Sequence, residues 1–249
     1  MPVPELDLLS VPWLLALVLV IVFVAAVVQA GLGMGFGLMA APLLAVIDPE
    51  LVPAPALFLG FASSFLVALQ QRHHIHWPEV GIASFGRLAG VLISSYALLF
   101  FADRNSFSVI FAVMIGLAVL LSLFGPPMAF TLKRLFGVAV ISGVMGTITS
   151  VGAPPLALIY QGRPSYAARA TLAAFFAIGC AMSLVALFLT GWASFRDMWL
   201  AILMAPAMIT GLLAGRYFQS GFDQRYRILM LTASGLAAIM LLIRGLLGW

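Results

Sequence analysis

The sequence predicts an all-α polytopic membrane protein made of two homologous halves, arranged as inverted repeats of five segments. Three observations predict it. Of the 249 residues, 64% are hydrophobic and only 8% are charged, against roughly a quarter charged in a soluble domain; mean hydropathy is +1.18. Apolar runs of membrane-spanning length recur from one end of the chain to the other. A stretch broken by glycine and proline, Gly31-Leu32-Gly33-Met34-Gly35-Phe36-Gly37-Leu38-Met39-Ala40-Ala41-Pro42-Leu43-Leu44, has a weaker copy at Ser142–Leu156.

Taken in order, the long runs are Val11–Ala30, Val52–Leu69, Val80–Ala102, Phe107–Phe124, Leu135–Ser150, Ala167–Thr190, Met198–Phe218 and Ile228–Leu247. Each approaches the roughly 20 residues that a spanning helix needs. Two shorter pieces, Gly33–Ile47 and Val151–Tyr160, follow the first and fifth long runs and carry the duplicated stretch. Each half thus reads long, short, long, long, long: four long segments and one short broken one, the halves covering residues 1–130 and 131–249. A shift of 113 positions places Gly33 on Gly146, Pro42 on Pro155 and Leu43 on Leu156. Further on, Gly90–Tyr96 resembles Gly211–Tyr217 at a shift of 121, which implies insertions in the second half. The segment Met1–Ser10 holds Glu5 and Asp7 but no basic residue, so the first run is expected to remain as a span. Trp13, Trp77, Trp192, Trp199 and Trp249 lie at or near segment ends, as an interfacial aromatic belt does. The longest polar loop, Gln70–Glu79, leaves no room for a soluble domain.

Basic residues set the orientation. If the short pieces cross and the N-terminus lies outside, Arg72, Lys133, Arg134, Arg163, Arg169, Arg216, Arg225 and Arg227 fall on the cytoplasmic side. Only Arg104, Arg196 and Arg244 then fall outside. If the short pieces re-enter without crossing, that bias nearly vanishes. Ten segments in a five-plus-five inverted repeat are therefore expected, with both termini outside.

Broken backbone is tolerated in a bilayer only where protein or a water-filled cavity covers it. Paired Gly/Pro-interrupted segments in two halves point to a transporter's binding site; close helix packing at small residues is the other reading. The G-x-G-x-G-x-G run followed by Pro-Leu-Leu, with its degenerate second copy, resembles the TauE/SafE family of sulfite and organosulfonate exporters. The resemblance covers Leu14 to Gly248. In that family the second copy is usually glycine-rich as well, whereas here it reads Thr147-Ile148-Thr149-Ser150. The resemblance implies a multi-pass protein of a bacterial cytoplasmic membrane that exports a sulfur-containing anion.

Arg87 is the single charge well inside a span, roughly 10 Å from its start at a rise of 1.5 Å per residue. Every acidic residue stands at a loop or segment edge, and Glu79, two turns away, reaches Arg87 only if both side chains stretch. A guanidinium with no fixed counter-charge suits a site completed by an anion; snorkelling to the interface is the alternative. Gly33, Gly35 and Gly37, with Gly146 and Gly152, let a ligand approach backbone amides at half-helix ends, beside Pro42 and Pro155. Thr147, Thr149 and Ser150 add hydroxyls, unless these bond back to their own helix. Gln29, Ser63 and Ser64 are weaker lining candidates. His73, His74 and His76 have poor spacing for a metal, and no metal site, cofactor or catalytic residue is expected. Cys180 reads as a small packing residue.

The basic residues scatter over membrane-edge loops, so a nucleic-acid partner is not expected; the partners are a small anion and membrane lipid, and a homo-oligomer is compatible. No G-x-x-x-x-G-K-[ST] loop occurs and no carboxylate lies mid-membrane, so neither ATP nor an Asp/Glu proton relay is built in. Outward movement of one negative charge is favoured by about 2.3 kcal/mol per 100 mV of inside-negative potential. The expected function is export of a small sulfur-containing anion, with ion-coupled import or a non-transporting scaffold as rivals. An intramembrane serine–histidine hydrolase is disfavoured, since all three histidines share one loop.

Overall fold

Each apolar run forms a helix, and local chemistry decides where it starts and stops. The computed structural model describes residues 11–32, 36–99, 104–126, 128–161, 163, 165–217 and 224–247. The first half holds α1 (Pro12–Leu32), α2 (Phe36–Ile47), α3 (Ala54–Gln70), α4 (Trp77–Leu98) and α5 (Arg104–Phe124). The second holds α6 (Leu132–Thr149), α7 (Ala153–Tyr160), α8 (Ser165–Leu189), α9 (Phe195–Tyr217) and α10 (Gln224–Leu247). Among the described residues, six helices are long and apolar enough to cross a membrane: α1, α3 with its preceding turn, α4, α6, α8 and α9. The apolar described stretches of α5 and α10 are shorter, Val109–Phe124 and Leu231–Ile243.

Helix α4 begins three residues ahead of its apolar run because Pro78 fits the first turn, where a missing N–H costs nothing. Helix α6 begins at Leu132 because the Thr131 hydroxyl accepts from the Arg134 N–H at 3.3 Å. It ends at Ser150, which adopts the left-handed conformation at φ 63°. Pro154 and Pro155 cannot lie inside a continuous helix but suit the first turn of α7. In α2, Pro42 does sit inside the helix and removes the bond to Leu38 O. Ser234 of α10 supplies the missing donor, its hydroxyl reaching that carbonyl at 2.6 Å. A freed carbonyl in a membrane helix is commonly satisfied by a neighbouring serine in this way.

The helices pair across the halves: α4 on α6, α1 on α9, α3 on α8 and α5 on α10. Two of these seams are alike residue for residue. On α4, Gly86 lies against Phe136 O and Ala139, and Gly90 against Val140 O and Gly143. On α9, Gly211 lies against Phe23 O and Ala26, and Gly215 against Val27 O and Ala30. A Cβ on any of these four glycines would strike the facing backbone. Small residues spaced by four let membrane helices approach at this range. Adding 113 to Phe23, Ala26, Val27 and Ala30 gives Phe136, Ala139, Val140 and Gly143, the shift that also relates Gly33 to Gly146. The matching positions on α4 and α9 are Gly86 with Gly211 and Gly90 with Gly215, a shift of 125. This corrects the 121 read from the sequence, which had set Gly90 on Gly211 and so slipped by one helical turn.

The outer faces of the helices are apolar. Leu189 (83% exposed), Phe85 (72%), Tyr96 (66%) and Leu92 (61%) stand outward, with many smaller apolar side chains between them. An exterior with this many exposed apolar side chains is what lipid covers.

Candidate functional site

The two interrupted helix pairs meet at their breaks. Helix α1 ends at Leu32 and α2 starts at Phe36; Gly33 and Gly35 lie outside the described residues. Gly37, in the first turn of α2, touches the Ser150 carbonyl so closely that a Cβ there would overlap it. Only glycine allows this approach. Helices α6 and α7 fold back on one another: Phe130, just before α6, packs edge-on against Tyr160, the last residue of α7, at 5.6 Å between centroids. The break at Ser150–Gly152 is therefore the tip of a hairpin.

Between the tips lies a small cavity of about 40 Å³, lined by Gln29, Gly37, Ser64, Ser150, Gly152 and Cys180 among others. Gln29 secures the first tip. Its Oε1 accepts from the Phe36 N–H at 3.1 Å, and its Nε2 donates to Ser64 Oγ at 3.3 Å. Thr149 secures the second, accepting from Val151 N–H at 3.1 Å and donating to Met145 O at 2.6 Å. The Ser150 hydroxyl donates to Pro53 O at 2.8 Å.

Arg87 is buried beside the second tip, at 1% exposure. It does not reach an interface. Its Nη1 donates to Ser142 O at 3.2 Å and Ser142 Oγ at 3.0 Å, and that hydroxyl donates to Gly152 O at 2.6 Å. Gly146, Gly152 and Gly179 form the walls around the guanidinium, and a Cβ on any of them would collide with it. The rings of Phe175 and Phe176 stand 5.4 and 5.9 Å from its carbon, within range of cation–π attraction. Its Nε has no hydrogen-bond partner among the described residues, and no carboxylate there pairs with it. Glu79 is engaged elsewhere: it accepts from Tyr160 Oη at 2.7 Å, pairs with Arg163, and lies 3.3 Å from His76 Nδ1.

The remaining residues singled out in the sequence fall into three groups. Gly37, Ser64, Gln29, Ser150 and Gly152 line the cavity, and Gly146 touches Arg87. Thr147, Thr149 and Ser63 are buried with their hydroxyls on carbonyls of their own helices, Gly143 O, Met145 O and Gly60 O; Thr147 also lies 2.9 Å from Ser183 Oγ. Pro42 and Pro155 shape α2 and α7. Sequence reading did not single out Ser142, Gly179, Phe175, Phe176 or Ser234. Ser142 carried one signal, since it stands 113 positions after Gln29 and each side chain braces its own tip. Gly179 carried none, because its contact is with a residue on another helix.

Two polar mouths lie beyond this centre. One, about 260 Å³, is lined by His73, His76, Glu79, Tyr160, Arg163 and Thr171 among others. The other, about 320 Å³, is lined by Glu50, Thr190, Trp192, Ser194, Arg196 and Asp197 among others. Glu50 pairs there with Arg196 at 2.7 Å.

A chain helical in its described elements, with an apolar exterior and two interrupted helix pairs that meet at their breaks, one of them against a buried cation, has the build of a multi-pass transmembrane transport protein. The family comparison says which kind. A family model described as sulfite exporter TauE/SafE matches residues 18–241, nearly the whole chain, and the chain belongs to that family. No curated protein and no solved structure was found to match.

Proposed function

We propose that this protein exports a small sulfur-containing anion, sulfite or an organosulfonate, across a bacterial cytoplasmic membrane through a central site at the two tips. The observation that carries the reading is Arg87: a guanidinium buried beside the tip cavity with an unused Nε and no carboxylate partner among the described residues. Burying an ion costs several kcal/mol after relaxation. Two bonds to Ser142 and two aromatic faces offset part of that cost. An anion in the neighbouring cavity supplies the rest, and guanidinium suits oxyanions well. Gly37, Ser150 and Gly152, with Gln29 and Ser64, line its seat. Gly146 gives the guanidinium its space, while Thr147, Thr149, Ser63, Pro42 and Pro155 hold the tips in shape. The site is one-sided, since the position 125 residues after Arg87 is Leu212.

Two homologous halves, residues 1–130 and 131–249, in inverted orientation are supported by the matched glycine seams, which exchange equivalent helices of the two halves. Ten crossings are supported by the two ion pairs. Suppose the eight long helices cross and the short ones do not reverse the chain. Glu50 and Arg196 would then lie on opposite faces of a hydrocarbon layer roughly 30 Å thick, and so would Glu79 and Arg163. Their direct contacts favour reversal at both tips. The excess of Lys and Arg on one side then favours both termini outside.

The test is efflux of sulfite from loaded proteoliposomes under an inside-negative potential, comparing the wild type with Arg87→Gln. Efflux that rises with the potential and falls at least tenfold in the variant is expected. Efflux unchanged by the substitution removes Arg87 from the site, and a dependence on a proton or sodium gradient favours coupled import.

A further inference from the structure

The two mouths are built on one plan with the charges exchanged. Arg163 stands three positions beyond Tyr160, the end of α7, and Glu50 three beyond Ile47, the end of α2. Their separation is again 113. Each pairs with an opposite charge in the first turn of a long helix of the other half: Arg163 with Glu79 on α4, Glu50 with Arg196 on α9. Helices α2 and α7 also carry residues at the tips that line the central cavity. Each pair thus ties the base of an interrupted helix pair across one mouth.

We propose that the two ion pairs are alternating latches of the transport path, Glu79–Arg163 closing one end and Glu50–Arg196 the other. The inference rests on the transport reading above. The latches are unequal in the conformation described. Glu79 is 5% exposed in its side chain and is held by Tyr160, Arg163 and His76, while the Arg163 guanidinium lies 4.1 Å over the Phe130 ring. Glu50 and Arg196 are 32% and 61% exposed, and an exposed pair is weak. The Glu79 end is the firmly shut one. An anion arriving there can take the guanidinium from Glu79, replacing one charge-assisted contact by another, so the substrate itself helps release the latch.

The chain provides its own reporter. Cys180 is the single cysteine, is buried, and lines the central cavity. Its labelling by a membrane-impermeant, sulfonate-bearing methanethiosulfonate is measured on right-side-out and inside-out vesicles holding the full chain. Glu79→Gln is expected to speed labelling from the Glu79 face about tenfold and not from the other. Glu50→Gln is expected to do so from the Glu50 face only. Arg163→Gln, at a half-exposed position, should reproduce Glu79→Gln. Labelling unchanged in all three, or accelerated from the same face by Glu79→Gln and Glu50→Gln, overturns the latches. Sulfite flux measured in parallel separates the two readings: face-specific labelling without flux supports the latches and fails the substrate reading, and flux without any labelling response fails the latches.

Discussion

Arg87 Nη1 donates to both the carbonyl and the hydroxyl of Ser142, and the same hydroxyl donates onward to Gly152 O. One serine therefore links the buried cation to the second tip. Ser142→Ala removes one bond to the guanidinium and leaves the Gly152 carbonyl without that donor. A hydrogen bond to a charged group contributes about 1.5–3 kcal/mol, so the initial rate of sulfite efflux should fall about tenfold or more. An unchanged rate would show that the guanidinium is placed by its other neighbours.

Gly179→Ala puts a methyl group where the Arg87 Nε and Cδ now lie. The guanidinium must leave its present place. The expected result is a raised KM for sulfite with the protein still folded, since overpacking costs about 1–3 kcal/mol. A KM equal to the wild type's would count against a seat beside Nε.

Thr149→Val should separate stability from binding. The hydroxyl is spent on Met145 O and the Val151 N–H, so its loss removes two internal bonds, each worth about 1 kcal/mol. A lower Tm in detergent with KM changed less than about twofold is expected from that loss. A large KM change at constant Tm would restore direct contact between this threonine and the anion.

Ser234→Ala leaves Leu38 O, freed by Pro42, without its donor. An orphaned buried acceptor costs about 1–3 kcal/mol. Tm should fall, and the double change with Pro42→Ala should recover much of the loss, because alanine restores the N–H that Leu38 O lacks. Additive losses in the double variant would refute the link.

The architecture was legible because hydropathy and turn chemistry are local. All ten segments appear as helices; α4, α5, α6, α9 and α10 start three or four residues ahead of their apolar runs, α4 and α6 because Pro78 and Thr131 act as start signals there. The shift of 113 was readable from Gly33 and Pro42, and the same shift orders the seam at Phe136 and Val140. The register of α4 on α9 was not, because two glycines four apart match equally well when slipped by a turn, and only the facing backbone distinguishes them. Arg87 stood out as a lone charge. Its setting did not: Ser142, Gly179 and Phe175 come from helices far along the chain, and nothing local marks their convergence. Glu79, the only acid within sight of Arg87 in the sequence, turned out to serve Arg163 at a mouth.

The glycine seams have a consequence for how the molecule can be taken apart. Gly86 and Gly90 press α4 of the first half onto α6 of the second, and Gly211 and Gly215 press α9 onto α1. With backbone on backbone there are few side-chain rotamers to loosen, so each seam behaves as a strut. The rigid pieces are hybrids, each holding one helix from either half. Neither half is then a body that can rock by itself, and two separately expressed fragments, 1–130 and 131–249, would regain a working protein only by interlocking like clasped hands.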